Sequence, residues 1–128
     1  QKLAPLCTEE GLGTTVWSPL ASGLLSGKYS GSSIPKNSRA EMKGMTWLHE
    51  DLKNKAKMDK VQRIGSLAKE LGCSTAQLAL AWCASCPQVS TVITGASRAS
   101  QVVENMKAVE VIPLLDGPLL QRIDEILA

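Results

Sequence analysis

The sequence predicts a piece of a larger α/β fold that contains a parallel sheet. Two short runs, residues 14–17 (TTVW) and residues 89–94 (VSTVIT), are rich in β-branched residues and have the character of strands. The segment between them carries helical patterns, and helices between strands are typical of βα units with parallel strands. Because two strands alone do not form a stable sheet with covered faces, we expect both ends, Gln1 and Ala128, to be cut positions within a longer protein.

The composition is that of one ordinary globular domain, which we place at residues 1–128. The chain has 44% hydrophobic residues, 20% charged residues and a net charge of +2, and no clustered basic surface of the kind that binds nucleic acid. Its densest basic stretch, from Lys53 to Lys60, includes Asp59 and follows Asp51, which is typical of a solvated helix face. No apolar run is long enough to span a membrane, and no leader is evident. Four cysteines without a leader indicate reduced thiols and a cytoplasmic location.

A loop rich in Gly, Ser and Pro follows the first strand, over residues 22–39. The dipeptide Ser18-Pro19 ends the strand, and the loop carries Lys28 and Arg39 near its two ends. Long irregular loops in compact domains are usually functional or mobile, so this loop is a candidate for ligand binding. The alternative is that it only links two elements.

Two helices are predicted between the loop and the second strand. Apolar residues three or four positions apart predict the first over residues 51–71, and Gly72 is suited to end it. Ser74 and Gln77 have the spacing of a capping box and predict the start of the second helix, which Pro87 cannot continue. The apolar stripe of the first helix comprises Met58, Val61, Ile64, Leu67 and Leu71, and the second helix carries Leu78, Ala81 and Trp82 on one side.

Two further helices are predicted after the second strand. Residues 95–97 (GAS) turn the chain into a helix over residues 98–108. Asp116 is placed as the N-cap of a last helix, with Pro118 in its first turn. The buried face predicted for this last helix comprises Leu119, Leu120, Ile123, Ile126 and Leu127.

The stretch AWCASCP, residues 81–87, has the C-x-x-C spacing of a thioredoxin active site. In such sites the cysteine pair opens a helix, where the helix dipole stabilises a thiolate. Here Cys83 and Cys86 lie at the end of the predicted helix, where the dipole disfavours an anion, so we predict small buried side chains without a redox function. The other candidate metal ligands lack zinc-binding spacing, and no metal site is predicted from them: His49, Cys7 and Cys73.

The turn at residues 95–97 is the strongest candidate for anion binding. It leads into a helix N-terminus, where backbone N–H groups and the helix dipole attract anions, and Ser97 adds a hydroxyl and Arg98 a charge. Lys28 and Arg39, from the loop after the other strand, would complete an anion clamp at the carboxyl ends of parallel strands. The alternative is a plain glycine-containing turn in which Ser97 caps the helix.

Several of these stretches together resemble one known family. Residues 17–29 (WSPLASGLLSGKY) strongly resemble the strand-seven segment of aldo-keto reductases. Residues 34–39 (IPKNSR) and 43–48 (KGMTWL) resemble the subgroup formed by voltage-gated potassium channel β-subunits and their plant and microbial relatives. The match continues colinearly over nearly the whole chain through residues 77–83 (QLALAWC) and 92–97 (VITGAS), Gln101, Glu104 and Asn105.

The resemblance implies the C-terminal part of a (β/α)8 TIM barrel, with strands seven and eight at residues 14–17 and 89–94 together with their helices. It also implies NADPH as the cofactor, held in an extended conformation. The implied cofactor-binding residues are Trp17, Ser18, Pro19, Leu20, Ala21, Ser22, Lys28, Arg39, Gly95, Ser97, Gln101, Glu104 and Asn105.

By the same resemblance, residues 17–22 line the path of the nicotinamide and the pyrophosphate, while Lys28 and Arg39 face the phosphates. Gly95 and Ser97 face the region of the adenosine 2′-phosphate. These residue types suit the roles, because cations and a helix N-terminus neutralise phosphate, and amides and carboxylates hydrogen-bond the amino edge of adenine. The residues implied to face the adenine are Gln101, Glu104 and Asn105.

The resemblance implies that the intact protein transfers hydride from NADPH to an aldehyde or ketone, with its catalytic residues outside this chain. Tyr29 lies in the loop and is not assigned as the proton donor. The alternative is a cytoplasmic regulatory subunit that forms a homotetramer, binds a potassium channel α-subunit at the membrane and senses redox state through NADPH. Asn37 stands where the animal channel subunits carry a tyrosine, in a loop about one residue longer, which predicts an altered stacking contact with the cofactor.

Overall fold

Helices make up most of the computed structural model, which describes residues 3–29 and 34–128. In chain order the elements are α1 (Leu3–Glu9), β1 (Thr14–Val16), α2 (Thr46–Lys53), α3 (Lys55–Glu70), α4 (Thr75–Ser85), β2 (Val89–Val92), α5 (Ala99–Met106), α6 (Ala108–Val111) and α7 (Gly117–Leu127). Short 3-10 segments lie at Ala21–Ser26, Arg39–Glu41 and Ile112–Leu114. Within the described ranges, the helices are too short or too polar to cross a membrane.

The two strands β1 and β2 pair in parallel, as the sequence predicts. The register joins Thr14 to Val89 and Val16 to Val92, and the Ile93 N–H donates to the Val16 carbonyl at 2.8 Å. Both strands end slightly earlier than predicted. Because they run in parallel, the segments that follow them leave the sheet at the same edge. Since the sequence analysis predicts a cofactor there, this edge is called the cofactor edge below.

The helix predicted over residues 51–71 is wrong at its start. α2 ends at Lys53, and Asn54 adopts an extended conformation with φ −74° and ψ 100°. The Asn54 side chain accepts a hydrogen bond from the Lys57 N–H at 3.1 Å and so caps a new helix, α3. Asparagine favours this role over a helix interior, because its side chain competes for nearby backbone groups.

The junction between α3 and α4 agrees with the prediction. Gly72 has a φ of +72°, and the Cys73 N–H donates to the Ala68 carbonyl at 3.0 Å, which is the geometry of a Schellman helix end. The capping box of α4 is also confirmed. Ser74 Oγ accepts from the Gln77 N–H at 3.2 Å, and Gln77 Oε1 accepts from the Ser74 N–H at 2.9 Å.

Two other helical segments differ from the prediction. The helix predicted over residues 98–108 ends at Met106, and α6 begins again at Ala108 after a break at Lys107. The sequence pattern does not indicate α1, because this helix contains Pro5 and has no acidic residue in its first turn.

The larger hydrophobic cluster lies between α3, α4, α6 and α7. Residues 76–81 of α4 are all buried, so this helix is covered on every side and not only on the one predicted. α7 buries Leu119, Ile123 and Ile126 as predicted, but Leu127 is 44% exposed. The buried members of the cluster are Ile64, Leu67, Ala68, Leu78, Leu80, Ala81, Ala108, Val111, Leu119, Ile123 and Ile126.

A smaller cluster packs the loop after β1 against α2. It comprises Leu24, Tyr29, Ala40 and Leu48, and the Leu48 side chain is 0% exposed. Together with the 3-10 segment Ala21–Ser26, this packing shows that the described parts of the loop are ordered against the domain. Two apolar side chains within the predicted loop, Leu24 and Tyr29, thus find a buried surface, and outside the 3-10 segment its described parts are irregular, as predicted.

Replacing Asp116 by alanine should lower the free energy of unfolding by about 0.5–2 kcal/mol. Asp116 Oδ1 accepts a hydrogen bond from the Leu119 N–H at 2.9 Å and thereby caps α7. The matched control is Asp124→Ala, because Asp124 is exposed in the last turn of the same helix, where a negative charge opposes the helix dipole. Urea unfolding followed by circular dichroism measures both variants, and equal destabilisation would contradict the capping role.

Candidate functional site

The segment after β1 forms a turn with strained backbone. Ser18, Ala21 and Ser22 have φ values of +57°, +46° and +56°, in the left-handed region that such residues rarely adopt. Each such residue costs about 1–3 kcal/mol, and strain of this kind concentrates at ligand-binding sites. Hydrogen bonds hold the turn, since the Ala21 N–H donates to the Ser18 carbonyl at 2.9 Å and the Gly23 N–H to the Leu20 carbonyl at 2.8 Å.

The side chains of this turn differ in their exposure. Trp17 is 79% exposed at the end of β1. Trp82, in contrast, packs against the larger cluster, as does Leu20. Leu20 therefore anchors the turn to the larger cluster. The exposed ring of Trp17 offers an apolar face on which a planar ligand could stack.

Lys28 extends back over the same turn. Its Nζ lies 5.1 Å from the centroid of the Tyr29 ring, a cation–π contact. The lysine crosses Gly23, where an added Cβ would lie 2.9 Å from both Cε and Nζ of Lys28, so a side chain at this position would displace the lysine. Lys28 is exposed and forms no ion pair with a described carboxylate, so its charge is available to an external anion.

Arg39 begins the 3-10 segment Arg39–Glu41 and is exposed. The nearby Glu41 carboxylate accepts a hydrogen bond from the Asn37 N–H at 2.6 Å, and Arg39 forms no ion pair within the described residues. Asn37 has a φ of +60°, which asparagine tolerates better than an aromatic residue does. Ser38 is 6% exposed, and its Oγ has no hydrogen-bond partner in the part of the chain that the structure describes. A buried hydroxyl without a partner is uncommon in proteins.

The N-terminus of α5 is capped by the side chain of Gln101. Its Oε1 accepts hydrogen bonds from the Ser97 N–H at 2.8 Å, from Ser97 Oγ at 3.1 Å and from the Arg98 N–H at 3.2 Å. The N–H groups of Ser97 and Arg98 are therefore occupied by this side chain. The alternative that Ser97 caps the helix is wrong, because its hydroxyl donates to Gln101. Gly95 and Ser97 are exposed, so an anion that displaces the Gln101 carbonyl has access to the same donors.

Glu104 and Asn105 occupy different environments on α5. Glu104 is exposed, and its backbone carbonyl accepts a hydrogen bond from Gln77 Nε2 at 3.1 Å. Asn105 is only 5% exposed, which leaves it little surface for a ligand in the described chain. Of the residues implied to face an adenine, Gln101 and Glu104 are the accessible ones.

The residues that the sequence predicts as a site thus lie in two groups, one in the segment after β1 and one in the segment after β2. Within the described residues, no hydrogen bond or ion pair joins Lys28 or Arg39 to residues 95–97. Two grooves lie elsewhere, one of about 440 Å³ between Tyr29 and α3 and one of about 270 Å³ between α3 and α7. None of the predicted site residues lines either groove.

The loop has a hydrogen-bonded anchor that the sequence analysis misses. The Tyr29 hydroxyl accepts a hydrogen bond from the Ala40 N–H at 3.3 Å, and His49 Nε2 donates to the Ala40 carbonyl at 2.5 Å. A lone aromatic residue in a stretch rich in Gly and Ser is a sequence signal for such an anchor. His49 gives no comparable signal, because its partner is a backbone group.

Within the cysteine pair at the end of α4, Cys83 does not have the environment of a reactive thiol. Burial raises the pKa of Cys83, and the neighbouring Cys86 raises this pKa further. Both side chains are half-buried, whereas the sequence predicts full burial. A raised pKa keeps the Cys83 thiol protonated at neutral pH, which lowers its reactivity as a nucleophile. Within residues 3–29 and 34–128, no three His, Cys, Asp or Glu side chains form a group that could hold a metal ion.

The described chain is an α/β unit in which two parallel strands lead, at the same edge of the sheet, into a strained turn and toward a helix N-terminus. The sequence profile of the aldo/keto reductase family matches residues 1–128, and the chain belongs to this family. The resemblance drawn from the sequence motifs is thereby confirmed.

The chain is also similar to curated proteins named as β-subunits of voltage-gated potassium channels. A probable β-subunit from Arabidopsis thaliana is 50% identical over 127 residues, which cover 96% of this chain. A probable β-subunit from Oryza sativa subsp. japonica is 48% identical over 126 residues, or 95% of this chain. A Schizosaccharomyces pombe protein, likewise named as a channel β-subunit, is 45% identical over 127 residues, or 98% of this chain. The chain spans only 37–38% of the length of these relatives.

Alkylation of Cys83 by iodoacetamide should be slower at pH 7 than alkylation of free glutathione. Burial and the adjacent Cys86 both raise the pKa of Cys83, so its reactive thiolate forms only at higher pH. The rate of modification, followed by mass spectrometry, should rise with pH to a midpoint above about 8.5, the value for an unperturbed thiol. A midpoint below that value would contradict this prediction. Cys86→Ser, which removes the neighbouring thiol, should move the midpoint down.

Proposed function

We propose that the intact protein is an NADPH-dependent oxidoreductase that reduces aldehydes or ketones by hydride transfer. In this proposal the chain is the C-terminal part of a (β/α)8 barrel, with β1 and β2 as strands seven and eight. The observation that carries the proposal is the parallel pairing of β1 and β2, which brings the strained turn and the N-terminus of α5 to one edge. Such barrels build their phosphate sites at the carboxyl ends of the strands. Membership of the aldo/keto reductase family supports the same reading.

The polar groups at the cofactor edge suit an extended dinucleotide. Lys28 and Arg39 are exposed cations without a carboxylate partner in the described chain, so both are free to pair with phosphates. The exposed hydroxyl of Ser97 adds a hydrogen-bond donor. Bound NADPH would supply the hydride, while the residues of this chain would bind and orient it.

The proton donor belongs, in this proposal, to a part of the protein outside this chain. Tyr29 is the single tyrosine of the sequence. It is 5% exposed, and its hydroxyl is bonded to the Ala40 N–H, so it is not available to a substrate. The chain therefore contributes cofactor binding and no catalytic residue.

Arg39→Ala and Ser97→Ala should each weaken NADPH binding to the full-length protein by about 1.5–3 kcal/mol, or roughly 10- to 150-fold. Each change removes a hydrogen bond to a charged phosphate, which is stronger than a bond between neutral groups. For Ser97→Ala the loss should be greater for NADPH than for NADH, because Ser97 is implied to face the 2′-phosphate, which only NADPH carries. Titration followed by cofactor fluorescence measures both affinities.

The matched controls are Arg63→Ala and Ser66→Ala. Both residues are exposed on α3, beside the groove between α3 and α7, so the same atoms are removed away from the cofactor edge. Their NADPH affinity should equal that of the wild type. Unchanged affinity in Arg39→Ala and Ser97→Ala, with wild-type protein binding NADPH, would count against the proposed cradle.

A second function is favoured by the names of the relatives, which describe β-subunits of voltage-gated potassium channels at 45–50% identity. In this alternative the full-length protein is cytoplasmic, forms a homotetramer and regulates a channel α-subunit, with bound NADPH as its redox sensor. Its place at a membrane would then come from the channel partner. The two functions are compatible, because both need the cofactor edge.

Turnover of simple aldehydes separates the two functions. If the protein is an oxidoreductase, full-length protein should oxidise NADPH in the presence of an aldehyde, as measured by the loss of absorbance at the cofactor band. Bound NADPH without turnover would contradict the enzymatic proposal and favour the regulatory one. Co-purification with a channel α-subunit tests the regulatory function directly.

A further inference from the structure

We propose that Tyr29 and His49 are positioning residues that hold Lys28 and Arg39 at a fixed separation for the phosphates of the dinucleotide. This inference rests on the proposed cofactor-binding function. Both residues would act without touching the cofactor. Tyr29 and His49 bond the backbone of Ala40, and the ring of Tyr29 also contacts Lys28.

Both backbone polar groups of Ala40 are hydrogen-bonded to side chains from other segments. Its N–H donates to the Tyr29 hydroxyl at 3.3 Å, and its carbonyl accepts from His49 Nε2 at 2.5 Å. Ala40 is 1% exposed and Tyr29 is 5% exposed, so water does not compete with the bond between them. Because Arg39 directly precedes Ala40, these two bonds also fix the backbone from which the guanidinium extends.

Tyr29 also contacts Lys28, through the face of its ring. The Nζ of Lys28 lies 5.1 Å from the centroid of the Tyr29 ring. The ring itself is held in the smaller cluster by Leu24 and Leu48. The buried Tyr29 side chain therefore contacts Lys28 through its ring and, through its hydroxyl, accepts a hydrogen bond from the backbone next to Arg39.

His49 ties this arrangement to a helix. It lies in α2, next to Leu48, whose side chain is 0% exposed, so the donor is fixed to a packed element. Donation to a carbonyl requires a proton on Nε2, which the corresponding neutral tautomer and the imidazolium both carry. A glutamine at this position retains an N–H donor, whereas a leucine has none.

The test is a double-mutant cycle on NADPH binding by full-length protein. Tyr29→Phe keeps the ring under Lys28 and removes the hydroxyl, and it should raise the Kd for NADPH about 3- to 10-fold. In an Arg39→Ala background the same change should alter the Kd by less than about twofold, because the group that it positions is absent. His49→Leu should follow the same pattern, and His49→Gln should restore the wild-type Kd within about twofold.

Equal effects of Tyr29→Phe in the two backgrounds would overturn the proposal, because the hydroxyl would then act through general stability. An unchanged Kd for Tyr29→Phe, beside a weakened Arg39→Ala, would also overturn it and would leave the proposed function intact. Absence of NADPH binding by wild-type protein would overturn both. If His49→Leu does not fold, the cycle with Tyr29→Phe decides the question, because that variant lacks a single oxygen atom.

Discussion

The burial of α4 is the constraint on which the rest of the described structure depends. Residues 76–81 are all buried, so this helix needs a neighbour on each side. The helices α3, α5 and α6, the strand β2 and the 3-10 segment Ala21–Ser26 all pack against it. Its alanines let these elements approach closely, as the density of protein interiors requires. Since α4 leads directly into β2, its position also sets where β2 meets β1, and so where the cofactor edge lies.

The strained turn after β1 is stable only because its neighbours hold it. Three left-handed residues at about 1–3 kcal/mol each amount to a large part of the 5–15 kcal/mol by which a domain is usually stable. Leu20 offsets this strain by packing on the larger cluster, and Leu24 by its burial in the smaller one. The turn is therefore shaped before any ligand arrives, which lowers the ordering cost that binding would otherwise carry.

Local signals predicted the parts of the fold that depend on local chemistry. The capping box at Ser74, the helix end at Gly72 and the cap at Asp116 each satisfy backbone groups within a few residues, and all are present. Two predictions were wrong because a polar side chain can bond to the backbone in more than one way, and the sequence does not show which way is used. Asn54 caps a helix instead of continuing one, and the Gln101 side chain, rather than Ser97, reaches the α5 N-terminus.

The candidate site was less predictable than the fold, because its groups come from segments far apart in sequence. The motifs locate the two halves of the cofactor edge, and the parallel register explains why they share it. The spacing of apolar residues in the sequence does not show that Ser38 is buried without a partner or that Asn105 is buried. These properties depend on packing by α2 and α4, which sequence spacing alone does not describe.

The two cations of the cofactor edge are held in ways that match their chemistry. An arginine forms its strongest phosphate contact through a planar, two-pronged geometry, which requires a fixed backbone origin. The backbone next to Arg39 is fixed in this way, because both the N–H and the carbonyl of Ala40 are hydrogen-bonded. A lysine is a point charge on a flexible stem, for which direction matters less than distance. The Lys28 side chain accordingly contacts the face of the Tyr29 ring and crosses Gly23, where no side chain blocks it. In the proposed site, Arg39 would therefore approach a phosphate from a fixed backbone position, and Lys28 from its place over the Tyr29 ring.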